Sequence, residues 1–458
     1  MSRTTKFIAG PIFALLLGLL AYVGSLSAAQ IGVAALAGWT AAWWIFEPIP
    51  IPLTSIIPFF ALPMVGAVNH KVVAQAYGHT IILLLMAGFM LSRAMEVSLL
   101  HERIAGGFFN LMGMKTAEGV LFSFMMVSWF FSMWISNTAT TLMLLPIVLA
   151  TLKRTPLADG ARASLLLGLA YSASIGGMGT PIGTPPNLIL MGHYEEAFSQ
   201  EIDFISWMTK TIPISLVLLL VAWAWLQRNC RGEAVVFFPK QGPLTIRQKR
   251  ILLVFLFTAL GWIFRGAPFG GWTGLLELKG VGDSTVGLMG VVALGAIRDG
   301  QGGPLMTWED MANIPWGLLL LFGGGIALAK GFEASGLSVV VGTLLAGGLS
   351  FLPIWASLLI LCLGVTFLTE ITSNTATTTL LMPILGAAAL GAQVDPLLLM
   401  MPAALTASCA FMLPVATAPN AVVYGTKLVS MSVMMREGVV LNFLGVGIIS
   451  IFTYFIIY

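Results

Sequence analysis

Ser136-Asn137-Thr138-Ala139-Thr140 and Ser373-Asn374-Thr375-Ala376-Thr377 are one five-residue stretch written twice, 237 residues apart in a chain of 458. Each copy interrupts an apolar run and is followed by a Leu-Met-rich segment with a proline, Leu142 to Pro146 and Leu380 to Pro383. Polar residues placed twice at membrane depth, once in each half, point to a binding site shared between the halves.

The depth follows from composition. The chain is 58% apolar and 9% charged, against roughly 25% charged in an ordinary soluble domain. The expected class is an all-α polytopic membrane protein. Apolar runs bounded by Gly, Pro and charge predict spans at 7–23, 30–46, 53–68, 79–98, 163–192, 206–227, 251–265, 284–298, 315–335, 397–426 and 438–457. The first of these is long enough to remain as a span rather than a cleaved leader. The stretches 118–152 and 350–390 carry the duplicated motif near their middles. Each fits two helices of about 15 residues, roughly 22 Å long, too short for a core of about 30 Å. Two re-entrant hairpins satisfy that length, with polar tips that must line a cavity or be buried in protein.

Lys and Arg set the expected orientation. With hairpins that do not cross, one side collects Arg3, Lys6, Arg103, Lys115, Lys153, Arg154, Arg162, Arg228, Arg231, Lys240, Arg247, Lys249, Arg250, Arg298, Lys427 and Arg436. The other receives few, among them Lys71, Lys210, Arg265 and Lys279. This asymmetry predicts about eleven transmembrane helices in the cell membrane, N-terminus cytoplasmic and C-terminus outside. The basic segment around 231–250 reads as a cytoplasmic linker between halves. The repeat extends beyond the motif. Leu91 to Ser98 matches Leu328 to Ser335 at the same offset of 237, and Gly183-Thr184-Pro185-Pro186-Asn187 matches Ala416-Thr417-Ala418-Pro419-Asn420 at 233. In the expected topology the hairpins open to opposite sides, an inverted repeat of the kind used by secondary transporters.

Ser, Asn and Thr cap helix N-termini, so each tip is expected to start a half-helix whose positive end points into the protein. That end suits an anion, while carbonyls and side-chain oxygens of the preceding half-helix suit Na⁺. The Pro-Asn stretches read as breaks inside spans five and ten. Neither tip and neither break contains Lys or Arg, so a dianion would have to be offset by helix N-termini and by co-bound cations. Glu370, three residues before the second motif, has Met133 as its repeat counterpart; a functional carboxylate, a proton site and a structural hydrogen-bonding group all remain open. Arg93/Glu96 and Lys330/Glu333 read as snorkelling or local pairs. Gly323-Gly324-Gly325 reads as helix packing rather than a phosphate loop, since no Walker lysine follows. Cys230, Cys362 and Cys409 supply neither a disulfide framework nor metal spacing. No nucleophile–base pair suggests an enzyme, and nucleic acid is not an expected partner. A channel would need equivalent loops around one pore axis, whereas these are opposed within one chain.

At these residues the chain resembles the divalent anion/sodium symporter family, the Na⁺-coupled di- and tricarboxylate (and sulfate) carriers. The two Ser-Asn-Thr tips look like its hallmark. The stretch from Ala407 to Val423 is similar to its signature, and Trp44 to Pro52 resembles its early loop. The likeness implies a homodimer in a lipid membrane working as an elevator. Scaffold parts would lie at 1–116 and 251–349, transport parts at 117–230 and 350–458, and the linker at 231–250. By that likeness one Na⁺ sits among Ser132, Ser136, Asn137 and Gly183, and a second among Thr369, Thr372, Asn374 and Ala416. Substrate carboxylates meet Asn137, Thr138, Thr184, Asn374, Thr375 and Thr417. The implied function is Na⁺-coupled symport of a C4-dicarboxylate such as succinate, malate or fumarate into the cytoplasm, with Na⁺ as coupling ion and no other cofactor. A dicarboxylate/citrate exchanger and a citrate- or sulfate-preferring carrier stand as alternatives. Thr184 stands where other members have Ser or Gly, and Ala418 where many have Pro. Both border the substrate and bear on that choice.

Overall fold

The computed structural model describes residues 3–101, 103–104, 106–107, 116–155, 157–231, 242–266, 270–278, 280–349 and 352–457. Lys115, Lys240, Lys279 and linker residues 232–241 lie outside them. The described chain is helical throughout, apart from one isolated bridge between Arg298 and Pro304. Among the described residues, seven helices are long and apolar enough to cross a membrane, including Ala28–Phe46, Trp316–Ser335 and Met431–Ile457. Ala117–Ser132 and Ile354–Thr369 are shorter apolar helices.

Both duplicated stretches form helix–tip–helix hairpins. Ala117–Ser132 leads through Ser136 into Asn137–Arg154, and Ile354–Thr369 leads through Ser373 into Asn374–Ala392. The incoming helices are both 16 residues long, roughly 24 Å of rise. The repeat thus governs element boundaries as well as sequence. Spans five and ten are each broken. Asp159–Gly177 gives way to Pro185–Phe198, and Pro396–Thr406 to Ala418–Gly425. In both, proline occupies the first turn of the restarting helix, where its missing N–H costs nothing.

Three expectations need correction. Residues 53–68 do not form one span: the chain makes Ile51–Thr54, then Ile57–Met64, with prolines at 50, 52, 58 and 63 interrupting the ladder. A further helix, Leu337–Leu349, precedes the second hairpin and packs along Asn374–Ala392. It falls between the span expected at 315–335 and the hairpin expected from 350, and Gly336, in left-handed backbone at φ 73°, marks the corner. Lys330 pairs with Glu196 at 2.6 Å rather than with Glu333, whereas Arg93 and Glu96 do form the local pair, at 3.0 Å.

Asp159–Gly177 is buried along most of its length, packed against both arms of the first hairpin, against Phe204–Leu226 and against Ala418–Gly425. Trp316–Ser335 plays the matching part on the other side, against His70–Tyr77, Ala28–Phe46 and Pro185–Phe198. Its three consecutive glycines each face a different neighbour: the Tyr77 ring, the Ser55 carbonyl and the Thr379 methyl. A Cβ on Gly324 would lie 2.5 Å from the Ser55 carbonyl oxygen, which no rotamer change relieves. Gly324→Val is therefore expected to destabilise the protein by about 1–3 kcal/mol through overpacking, read as a lowered thermal midpoint of the purified protein. An unchanged midpoint would contradict this packing.

Candidate functional site

The two hairpin tips and the two breaks meet at one cavity of about 450 Å³. Its lining includes Ser136, Asn137 and Thr138 from the first tip, and Ser373, Asn374 and Thr375 from the second. The breaks add Gly183, Thr184 and Pro185, then Ala416, Thr417, Ala418 and Pro419. All six residues expected to bind substrate line this space. Of the eight expected to hold Na⁺, Ser136, Asn137, Gly183, Asn374 and Ala416 line it, while Ser132, Thr369 and Thr372 stand behind the tips.

Four helices begin at this cavity: Asn137–Arg154, Pro185–Phe198, Asn374–Ala392 and Ala418–Gly425. Ser136 Oγ accepts from the Ala139 amide at 3.2 Å, Ser373 Oγ from Ala376 at 3.5 Å and Thr417 Oγ1 from Asn420 at 3.3 Å. Thr184 holds the cap position of the fourth without a side-chain bond. The amides of Asn137, Thr138, Asn374 and Thr375 precede the first intrahelical acceptors and have no partner within their own helices. Each terminus supplies at most roughly half a positive charge, felt only within about one turn. Among the described residues no Lys, Arg or His lines the cavity.

Behind each tip the repeat produces the same oxygen pair. Ser132 Oγ donates to Asn137 Oδ1 at 2.7 Å, and Thr369 Oγ1 to Asn374 Oδ1 at 2.5 Å. Carbonyls close in on the first pair. A Cβ on Gly177 would lie 2.6 Å from Asn137 Oδ1, and one on Gly183 would lie 2.5 Å from the Gly177 oxygen and 3.0 Å from that of Ser132. Hard oxygen donors crowded at this spacing suit a small monovalent cation. Thr372 turns elsewhere, donating to the Leu368 carbonyl at 2.7 Å and meeting Thr377 Oγ1 at 2.7 Å.

The breaks are held by asparagine. Asn187 Nδ2 donates to the carbonyls of Gly177 and Thr180 at 2.9 and 2.7 Å, and Asn420 Nδ2 to those of Ala410 and Leu413 at 3.0 and 3.1 Å. Both asparagines are fully buried and leave Oδ1 without a hydrogen-bond partner. The remaining wall comes from Gly88, Phe89, Ser92, Trp134, Pro315 and Leu318. Sequence reasoning missed these residues because nothing polar or repeated marks most of them. Trp134 is anchored by a stack on Phe204, which stacks in turn on Trp262, and by an edge contact with Phe255.

Residues 2–457 match the family described as the sodium:sulfate symporter transmembrane region. The chain belongs to the sodium:sulfate symporter family. It is a membrane transporter, not an enzyme. A protein of Staphylococcus saprophyticus named sodium-dependent dicarboxylate transporter SdcS is 38% identical, over 100% of this chain and 92% of that protein. Its Staphylococcus aureus namesake is 36% identical, over 98% and 90%. Among solved structures the fold is similar to the Neisseria gonorrhoeae MtrF efflux pump, with a TM-score of 0.63 at 12% identity over 91% of this chain and 97% of that one. It is also similar to the Alcanivorax borkumensis YdaH transporter, with a TM-score of 0.57 at 13% identity over 82% and 85%.

Of the two glycines lining the cavity, Gly88 and Gly183, Gly183 has less room for a side chain. Gly183→Ala is expected to abolish uptake by the protein in liposomes, with labelled succinate and Na⁺ as probes, while leaving helical content by circular dichroism unchanged. Uptake at the natural rate would contradict the crowding of the Gly177 and Ser132 carbonyls against it.

Proposed function

We propose that this chain is a Na⁺-coupled symporter that brings a C4-dicarboxylate such as succinate, malate or fumarate into the cytoplasm. The observation that carries the reading is the meeting of four helix N-termini at one cavity whose described lining has no basic side chain. One carboxylate is bound at Asn137, Thr138 and Thr184, and the other at Asn374, Thr375 and Thr417. One Na⁺ is held among Ser132, Ser136, Asn137 and Gly183, and a second among Thr369, Thr372, Asn374 and Ala416. The similarity to two proteins named sodium-dependent dicarboxylate transporters supports the choice of ion and substrate class.

Coupling follows from electrostatics. Partial charges at helix ends act over about one turn, and the dianion loses its water on entering. Without cations its charge is under-compensated, so empty cation sites mean a weak anion site. The membrane potential is worth about 2.3 kcal/mol per charge per 100 mV. Import drawn by a negative interior therefore needs more than two Na⁺ per dianion. The chain works as a homodimer in the cell membrane with its N-terminus cytoplasmic. Each subunit carries the hairpins and broken helices of 117–230 and 350–458 as an elevator against a scaffold of 1–116 and 251–349.

A sulfate carrier is the second reading, favoured by the description of the family. Sulfate is one compact tetrahedron and would engage one tip, whereas a C4-dicarboxylate has an end for each. Purified protein in liposomes is expected to accumulate labelled succinate with inward positive current under a Na⁺ gradient. Unlabelled malate and fumarate should compete more strongly than citrate or sulfate. Equal accumulation with choline replacing Na⁺ would overturn the coupling, electroneutral uptake the stoichiometry, and stronger competition by sulfate the substrate. Asn137→Ala and Asn374→Ala should each reduce uptake to background in a protein that still elutes as a dimer.

A further inference from the structure

Met133 and Glu370 occupy equivalent positions in the repeat, each just past the incoming helix of its hairpin. Both are tied to the facing break, by different chemistry. In the first half the Met133 carbonyl accepts from Thr180 Oγ1 in the break. In the second half the tie runs through the Glu370 side chain. Its Oε1 accepts from the Met412 amide at 2.9 Å and from Asn442 Nδ2 at 2.7 Å, and its Oε2 from the Leu413 amide at 3.0 Å. Asn442 Oδ1 accepts from the Phe411 amide at 3.3 Å.

Three consecutive amides, at Phe411, Met412 and Leu413, are thus satisfied by one buried carboxylate and one buried amide side chain. They lie between Thr406 and Ala418, where the chain is unwound and no helical carbonyl is available to them. A carboxylate is an acceptor on both oxygens, and charge-assisted bonds from N–H groups are the strong kind. Glu370 is 3% exposed and makes no ion pair among the described residues. The neighbouring Thr369 adds a parallel tie, with Oγ1 reaching both Asn374 Oδ1 at 2.5 Å and the Ala407 carbonyl at 3.0 Å. A few residues beyond Leu413 the same strand of backbone delivers Ala416 and Thr417 to the cavity. The first break reaches its shape with uncharged groups. Trp207 Nε1 donates to the Met178 carbonyl at 3.0 Å, and Thr211 Oγ1 to that of Gly179 at 3.3 Å.

We propose that Glu370 is a positioning residue: it fastens the second break to the second hairpin tip, so that Ala416 and Thr417 are held in register with Asn374 and Thr375. The inference rests on the Na⁺-coupled reading above and adds to it a residue that touches neither ion nor anion. Glu370 acts through Met412 and Leu413, and Asn442 acts through Glu370. The second cation site draws on both the hairpin and the break. Loosening the tie therefore separates its two contributions and leaves the first site, tied through Thr180, in place.

The test is Na⁺ activation of labelled succinate uptake in proteoliposomes, measured for the natural chain, Glu370→Gln and Asn442→Ala. Gln keeps the shape but turns one acceptor into a donor facing a donor. Half-saturating Na⁺ is expected to rise roughly tenfold, the worth of one charge-assisted bond, with a shallower activation curve and a smaller change in maximal rate. Asn442→Ala leaves the carboxylate's bonds to Met412 and Leu413 and should shift the curve in the same direction by less. Activation curves that superimpose on the natural one, with only the maximal rate or thermal midpoint lowered, would reduce Glu370 to a structural role and overturn the proposal. Should Glu370→Gln fail to fold, an unshifted Asn442→Ala overturns it equally. The natural chain's own curve separates the two readings: no Na⁺ dependence there overturns the coupling itself, and with it this inference.

Discussion

Everything at the centre of this protein depends on backbone ends that have nowhere to go in a membrane. A helix that stops at mid-depth leaves up to four amides or carbonyls without partners, and lipid satisfies none of them. Here eight such ends, four incoming and four restarting, are brought to one place. Most of their groups are paired off by short side chains: Ser136, Ser373 and Thr417 at caps, Asn187 and Asn420 within the breaks. What is left unpaired forms the site. The amides of the restarting helices face the cavity, and oxygens crowd behind the tips. In the function proposed above, anion and cation sites are two sides of the same interruption, which gives the duplicated motif its double duty.

The absence of basic side chains from the described cavity wall sets the electrostatics. A fixed guanidinium would hold a carboxylate strongly whether or not sodium were present, and a carrier that must release its cargo gains nothing from that. Neutral dipoles do less alone and more in company. Their partial charges are fixed in direction by the packing of Asp159–Gly177 and its neighbours, so no reorganisation is needed when the ligand arrives. Elsewhere, charged side chains find partners of opposite sign. Arg228 meets Glu437 at 2.6 Å, and Arg265 meets Glu201 and Asp283 at the same distance.

The centre of the structure was legible in the sequence because the repeat made it so. One Ser-Asn-Thr in an apolar run reads as interhelical glue, but two at a fixed offset, each with a Pro-Asn partner downstream, fix four elements together. The periphery was not legible for physical reasons. Leu337–Leu349, at 13 residues, is too short to read as a span of its own between the one ending at 335 and the hairpin starting at 350. The prolines of 50–63 were visible, but whether proline kinks a span or ends it depends on what satisfies the freed carbonyl. Here Ser55 supplies a carbonyl that accepts from Tyr77 Oη at 2.5 Å, a contact 22 positions away. Gly88, Phe89 and Leu318 reach the cavity only because helices far apart in sequence pack there. Lys330 found Glu196 rather than Glu333 for the same reason.

The repeat preserves some features and lets others vary, and the division follows function. At the tips and breaks the Ser cap, the Asn after it, the Thr before each proline turn and the Asn that spans each break are kept in both halves, while Gly183 and Pro185 are matched by Ala416 and Ala418. Groups one layer further out are free to differ, provided the backbone ends up in the same place. Met133 and Glu370 are the clearest instance, one offering its carbonyl and the other its carboxylate. Trp207 and Thr211 support the first break, where Asn442 supports the second. A duplicated chain needs two-fold symmetry only where a ligand is touched. Behind that surface each half solves its own problem of unpaired amides with whatever its neighbours provide. The two halves can then differ behind the cavity, and a single carboxylate can tie one break without a counterpart at the other.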